Sequence, residues 1–399
     1  MRILFFNHNV AWSGGTFFRA YHLARMLTRR GHEVTLVSVS RRARWRCTET
    51  QRDGVTVVES PDLFFAAART GWDPWDAVQR IRFCRRRRYD LVHAFDSRPA
   101  VIWPALAQQA AGVPLVVDWA DWWGRGGIIE DRPAGSRLRM LVRPIETFFE
   151  EHYRTRADGT TVISAALRER AVRLGVAEDT IETLPGGCDV ETIRPRSRAE
   201  CRRRLGIAER TPLVGYLGAL LTSDAALLFE TFRRLATGRP DTHLVLIGNP
   251  RVPVPEERGI LTTGFVPLEQ LQDWLGACDV LLLPQNDTIA NRGRWPSKIN
   301  DYLAAGRPVV TTRVGDIAQM FEGEAIGAAV SPTPVALAAA VQSLLDDPAR
   351  VEACGARARR MAEEELDWRR LATRLETFYE RVTCRTRRAA VTMTAGAIS

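Results

Sequence analysis

The chain carries 56 Lys and Arg residues, and a single one of them, Lys298, is lysine. It stands in the stretch 291–311, NRGRWPSKINDYLAAGRPVVT. A chain that writes every other cation as arginine and keeps one ammonium has a candidate site for a compact point charge, as phosphate groups sometimes require. An arginine-biased composition also leaves one lysine by chance, so the neighbours decide. Pro296 suits the first turn of a helix. Ser297 and Lys298 then lie where free N–H groups and the helix dipole attract an anion. Asp301 follows Lys298 by three residues, on the same helix face. Gly306 is placed to end the helix, and 307–312 reads as the next strand.

The run PSKINDYLAAGRPVVTT resembles the donor-binding signature of family 4 of the glycosyltransferases, which usually reads P-x-K-x-x-E-Y-x-A-x-G-x-P-V-V. The resemblance is strong over 259–380, moderate at 1–40 and at 185–189, and weak between. It implies an α/β fold of the GT-B kind: two Rossmann-like domains facing a central cleft, with a C-terminal helix crossing back to the N-terminal domain. It also implies retaining transfer from a nucleotide-sugar. Asp301 takes the role of the acid that holds the ribose hydroxyls, one methylene shorter than the usual Glu. Lys298 and the amides near Ser297 hold the diphosphate. The backbone at Phe265 and Val266 reads the base, Gly218 ends the first strand of the donor domain, and Gly14 and Gly15 lie near the donor diphosphate or the acceptor. No side-chain nucleophile is implied, because the leaving phosphate accepts the acceptor's proton. No metal and no cofactor are implied.

The elements that must position these residues alternate between strands and helices. Residues 3–6 read as a buried strand, 7–16 as a loop, 17–29 as a helix capped by Gly31, and 34–39 as the next strand. The Gly14-Gly15 pair sits at a strand-to-helix turn, where parallel sheets bind ligands. It is not Gly-x-Gly-x-x-Gly, which argues against a nicotinamide fingerprint. Strands at 55–59, 90–94, 115–118, 159–163 and 179–184 alternate with helices at 74–88, 99–111, 138–156 and 164–174. Their ends carry His93, Asp96, Asp118 and Asp121, and a carboxylate there points toward the ligand crevice, though capping a helix is the commoner role. The segment 118–127, DWADWWGRGG, combines acids, indoles and glycines as a carbohydrate site would. The family's usual His at this strand end aligns with Ala120, and Asp121 beside it is the catalytic candidate in its place. Pro185-Gly186-Gly187-Cys188-Asp189 resembles the family's P-N-G-x-D hinge with Gly186 for Asn. The stretch 191–210, rich in Pro and Arg, reads as a connection. A second alternation follows, with strands at 213–217, 243–247 and 279–283, helices at 224–236 and 268–275, and further helices from 334 to 379. The expected domains are 1–190 (acceptor side) and 191–366 (donor side). A helix at 367–385 and a disordered tail at 386–399 follow.

Two departures from the family bear on activity. The Arg and Lys that usually follow the first donor-domain strand are missing from 218–224, and the first acid of the family's pair falls on Gly293. A leaving diphosphate needs compensating charge, which Arg292, Arg294 and Lys298 are placed to supply. Two rival readings remain beside the transferase: a nucleotide-sugar epimerase on the same fold, and a non-catalytic sugar-nucleotide-binding partner.

The net charge of +9 suits acidic partners. Those expected are a nucleotide-diphosphate sugar donor, a glycan, lipid-linked or small-molecule acceptor, and peripheral contact with an anionic membrane through the basic run 85–88. No nucleic-acid motif is visible. Seven dispersed cysteines, with no Cys-x-x-Cys pair, suit reduced thiols in the cytoplasm. No cleavable signal and no bilayer-spanning run are read.

Overall fold

The computed structural model describes residues 1–63, 70–131, 137–220, 222–322 and 325–396. The chain forms two compact units, Met1–Pro185 with Trp368–Ser399, and Gly186–Asp367.

The first unit is built on β1 (Arg2–Val10), β2 (Glu33–Val39), β3 (Thr48–Arg52), β4 (Val55–Ser60), β5 (Leu91–Phe95), β6 (Leu115–Trp119), β7 (Gly159–Val162) and β8 (Ile181–Thr183). These lie in the order β3-β4-β2-β1-β5-β6-β7-β8. All neighbours pair in parallel except β3 with β4. The period of two decides the packing. Along β1, Ile3 and Phe5 join the apolar layer that holds Phe17, Leu23 and the last helix's Trp368, Leu371, Leu375 and Phe378. Leu4 and Phe6 join the layer on the other face with Val92, Val101 and Val117. Both faces are covered, as a parallel sheet requires.

The second unit's sheet is wholly parallel, in the order β11-β10-β9-β12-β13-β14. Its strands are β9 (Leu213–Leu217), β10 (His243–Ile247), β11 (Ile260–Gly264), β12 (Val280–Leu283), β13 (Val309–Thr312) and β14 (Gly327–Val330). Along β12, Leu281 and Leu283 pack on one side with Ile299, Tyr302 and Leu303. Val280 and Leu282 pack on the other with Leu228, Phe232 and Val341. The order places β9 beside β10 and β12, so the chain reverses direction across the sheet at the end of β9. Ligands bind outside such a switch point in open α/β sheets.

Three readings of the sequence are corrected, and one hairpin is added to them. The stretch 191–210 holds the helix Arg198–Leu205, capped by Ser197 on the amide of Glu200 and ended by Gly206 at φ 69°. Its Arg202 is buried and bonded to Asp279 at 2.8 Å, so this stretch, though mostly exposed, is a helix anchored to the sheet and not a free linker. The helix Trp368–Gly396 runs through most of the expected tail, since 368–395 contains neither Gly nor Pro to break it. The helix beginning at Pro74 ends at Cys84, so Arg85–Arg88 follow it in an exposed turn. Finally, β3 closes a hairpin on β4 through Asp53 (φ 51°) and Gly54 (φ 80°), a pair whose positive φ values suit Asp-Gly.

Candidate donor and acceptor sites

In the second unit, the helix Lys298–Ala304 is fixed to the sheet by Tyr302. The buried Tyr302 hydroxyl accepts from the amide of Leu217 at 2.8 Å and donates to the carbonyl of Leu282 at 3.2 Å. This sets Lys298 beside the end of β9. Its ammonium lies 3.9 Å from the centre of the Tyr216 ring. It also donates to the Tyr216 hydroxyl and, at 3.2 Å, to the carbonyl of Ala219. Gly218, at φ 80°, makes the turn that brings this carbonyl round. Burial and the neighbouring Arg294 push the ammonium down to about 7, against an opposite pull from Asp224. A lysine held this way is poised to take up a proton when an anion arrives.

The other two cations are already engaged. Arg292 is turned to solvent in a bidentate pair with Asp287 at 2.6 and 2.7 Å. Arg294 donates to Asp224 at 3.1 Å, and Asp224 also takes the amide of Asn286 at 3.0 Å. Ser297 is exposed and caps nothing with its hydroxyl. Phe265 and Val266 follow the end of β11. Phe265 is 85% exposed, while Val266 packs on the core.

Asp301 lies one turn beyond Lys298. Burial, and then the carboxylate of Asp189, push its carboxyl from 3.8 up to about 7. Asp189 itself caps the turn at Thr192, accepting its hydroxyl at 2.9 Å. The same turn explains the glycine at 186. A Cβ there would stand 2.4 Å from Cδ1 of Trp295 and 2.9 Å from Nδ2 of Asn300. The indole that Asn300 holds by a 2.9 Å bond occupies the room a side chain would need. Gly186 and Trp295 are therefore a matched pair, which explains why the expected Asn is missing.

The first unit has a cavity of its own, lined by His8, Thr16, Asp96, Arg98, Asp121, Trp123, Glu146 and Arg154 among others. Nδ1 of His8 lies 3.0 Å from Asp96, and Asp96 adopts φ 111°, a conformation that side chains rarely take. Burial raises the Asp96 carboxyl, but Arg98, His8, the Ser97 amide and Arg154 outweigh it and hold the group at about 2. The 118–127 segment is pinned by Glu150, which accepts from Trp119 Nε1 at 3.0 Å and from the amides of Trp123 and Gly124 at 2.7 and 2.8 Å. Asp121, half-buried, lines the same cavity. Gly14, at φ 86°, opens the helix Gly15–Arg29, and a Cβ on it would strike Asn9 at 2.8 Å. Gly15 faces open space.

Two of the strand-end residues are committed to structural contacts, although Asp118 also forms part of the cavity wall. Asp118 is wholly buried, bonded to Arg19 at 3.1 Å through both oxygens and to Thr161 at 2.6 Å. His93, which burial drives down to about 3, bonds Thr161 at 3.1 Å and the Tyr379 hydroxyl at 2.6 Å. Together they tie the sheet to the last helix. The residues that reasoning from sequence missed are His8, Arg98, Glu146, Glu150 and Tyr216. Only the Glu146/Glu150 spacing, one helical turn in an otherwise apolar run, offered a signal.

Two family profiles match, one described as Glycosyltransferase Family 4 over residues 13–192 and one as Glycosyl transferases group 1 over 211–347. The GDP-mannose-dependent alpha-(1-6)-phosphatidylinositol monomannoside mannosyltransferase of Mycolicibacterium smegmatis is 30% identical over 55% of this chain and 61% of its own length. Glycogen synthase of Mycobacterium tuberculosis is 38% identical over 95% of this chain and 94% of its own. Among solved structures, Anabaena HepE in complex with UDP-glucose superposes with a TM-score of 0.69 at 16% identity, over 96% of this chain and 100% of the other. With a signature at the end of β9, two Rossmann-like units and a relative matched along nearly its whole length, the chain belongs to glycosyltransferase family 4.

Proposed function

We propose that the protein is a retaining glycosyltransferase that moves a sugar from a nucleotide-diphosphate sugar to a hydroxyl of a glycan, a glycolipid or a small molecule. We place the reaction in the cytoplasm, in polysaccharide assembly. The observation that carries the reading is the pairing of Lys298 and Asp301 on one turn of helix, both with protonation equilibria moved to about 7. Each is in the wrong medium for its charge until a ligand supplies a partner. A diphosphate gives Lys298 its counter-charge, and ribose hydroxyls give Asp301 hydrogen bonds that favour the carboxylate.

As the sugar–phosphate bond breaks, negative charge grows on the leaving phosphate. The Lys298 ammonium stabilises that charge, assisted by the amides near Ser297. The leaving phosphate takes the acceptor's proton, so no side-chain base is needed. The base is read by the backbone at Phe265 and Val266. Gly14 and Gly15 allow close backbone approach, and Asp121 binds an acceptor hydroxyl in the first unit's cavity. The run Arg85–Arg88 adds weak attraction to anionic lipid.

Nucleotide release from UDP-, GDP-, ADP- and dTDP-sugars, with and without acceptor sugars, tests the reading. Release from one donor that rises with acceptor and falls in Lys298→Ala is expected. A donor that binds by calorimetry but is never cleaved with any acceptor would mark the protein as a binding partner instead.

A further inference from the structure

The helix Arg137–His152 is packed inside out. Its buried side carries Glu146, Thr147 and Glu150; Thr147 and Glu150 hold the 118–127 segment, and Glu146 lines the cavity. Its solvent side carries Met140, Leu141, Ile145 and Phe148, which are 48–68% exposed. On an ordinary surface helix these faces are reversed. Contiguous exposed apolar side chains mark an interaction surface.

Three further observations select the partner. The helix holds Arg137, Arg139 and Arg143 and no carboxylate before Glu146, Arg143 being paired with Glu130 at 2.7 Å. Half-buried aromatic rings back the exposed face: Phe149, which lines the cavity, packs on Phe148 at 5.5 Å and on Trp72 at 5.1 Å. Three residues past Trp72, Trp75 meets Trp45 at 6.2 Å. Trp45 is 70% exposed among the exposed Arg41, Arg42 and Arg46. Aliphatic side chains, tryptophan and arginine together suit the boundary between headgroups and acyl chains of an anionic bilayer. No helix among the described residues is long and apolar enough to cross a membrane.

We propose that the outer face of the helix Arg137–His152 docks this protein on an anionic membrane, and that its acceptor is an amphiphile whose polar head enters the cavity on the helix's other side. The second clause rests on the reading of that cavity as the acceptor site; the first does not. The helix then serves both partners, because Glu146 and Glu150 face the cavity while Leu141 and Ile145 face the lipid.

The test is flotation of the full chain with vesicles of phosphatidylcholine alone and of phosphatidylcholine with phosphatidylglycerol, at low and high salt. The variants are Leu141→Asp/Ile145→Asp/Phe148→Asp and, separately, Arg85–Arg88 all changed to Ser. Wild type should float with the anionic vesicles and keep part of its binding at high salt, since the apolar contribution is not screened. The apolar variant should lose at least about tenfold in partitioning, with its melting temperature and donor-dependent nucleotide release intact. The Ser variant should lose only the salt-sensitive part. Equal flotation of the apolar variant and wild type would overturn the proposal. So would a wild-type dimer that ignores vesicles and is split by the apolar variant, which would assign the face to a second copy. Flotation without any nucleotide release would leave the docking face standing and remove the transferase reading. For the amphiphilic acceptor, transfer to a vesicle-borne acceptor should exceed transfer to its free headgroup, and equal rates would refute that clause.

Discussion

Replacing Asp301 by asparagine should make the free protein more stable while weakening its hold on the donor. The carboxyl moves from 3.8 to about 7 on folding because of burial and the nearby Asp189. The folded state therefore holds a proton that the unfolded state has already released. For a raised carboxyl this favourable term is complete below pH 3.8 and disappears as the pH climbs through 7. A rise of roughly three pH units, at about 1.4 kcal/mol each, corresponds to about 4 kcal/mol as a ceiling. Asp301 keeps some contact with solvent, so about 1–3 kcal/mol is the working figure. Asparagine cannot ionise and escapes the penalty. Denaturant unfolding, followed by circular dichroism, should show wild type and Asp301→Asn close together at pH 4. The gap should open to about 1–3 kcal/mol by pH 7.5 and stay level above it. Lys298 is unchanged in both proteins, so its own titration cancels. In the same variant, donor affinity should fall by about 1–3 kcal/mol as ribose hydroxyls lose a charged acceptor. A stability difference that does not change between pH 4 and 8 would refute the argument from burial and Asp189.

Lys298→Arg should lose most activity while melting normally, because a wide planar guanidinium presents its charge differently from the compact ammonium that bonds the Tyr216 hydroxyl and the Ala219 carbonyl; full activity in this variant would remove the case for a compact charge. Lys298→Ala should lower turnover more than donor affinity, by about 2–4 kcal/mol of barrier in single-turnover kinetics. Donor binding at pH 8 should draw in a proton at Lys298, most clearly in Asp301→Asn, and calorimetry in two buffers of different ionisation enthalpy would detect it; zero uptake contradicts a diphosphate at this lysine. Gly186→Ala should destabilise the second unit by about 1–3 kcal/mol through overlap with the Trp295 indole, and Trp295→Ala should recover much of that loss. Additive effects in that double mutant would show that the two residues are not coupled.

The readable parts of this molecule were those written in local pattern. Alternating strands and helices announced two parallel sheets, and the spacing of Pro296, Lys298, Asp301 and Gly306 announced the helix start that β9 receives. The Ser197/Glu200 capping pair was equally local and was missed because the arginine and proline around it suggested linker; the hairpin at Asp53-Gly54 was local too and went unread. Other features had no local signature. The His8–Asp96 contact joins β1 to the residue just past β5 and depends on an unusual backbone at Asp96. The burial of Asp118 depends on Arg19, 99 residues away. The matching of Gly186 to Trp295 is a question of volume across the unit, which no period in the sequence reports. The inverted helix shows the opposite failure: its apolar and polar positions were plain, but which face met water was not.

Chain order and maturation order diverge in this protein. The backbone leaves the first unit after Pro185, whose carbonyl Arg19 holds at 2.9 Å, and returns at Trp368, just after the amide of Cys188 has taken the carbonyl of Leu366 at 2.7 Å. During synthesis, the apolar face that Trp368, Leu371, Leu375 and Phe378 will cover emerges first and waits for the whole second unit to be made. At ordinary ribosomal speed that delay is about ten to forty seconds. The second unit, continuous in sequence, can close during the wait. The need for chaperones therefore falls on the part of the protein that is translated first. A premature stop just before Trp368 would remove no residue of the second unit and would leave the core of the first uncovered.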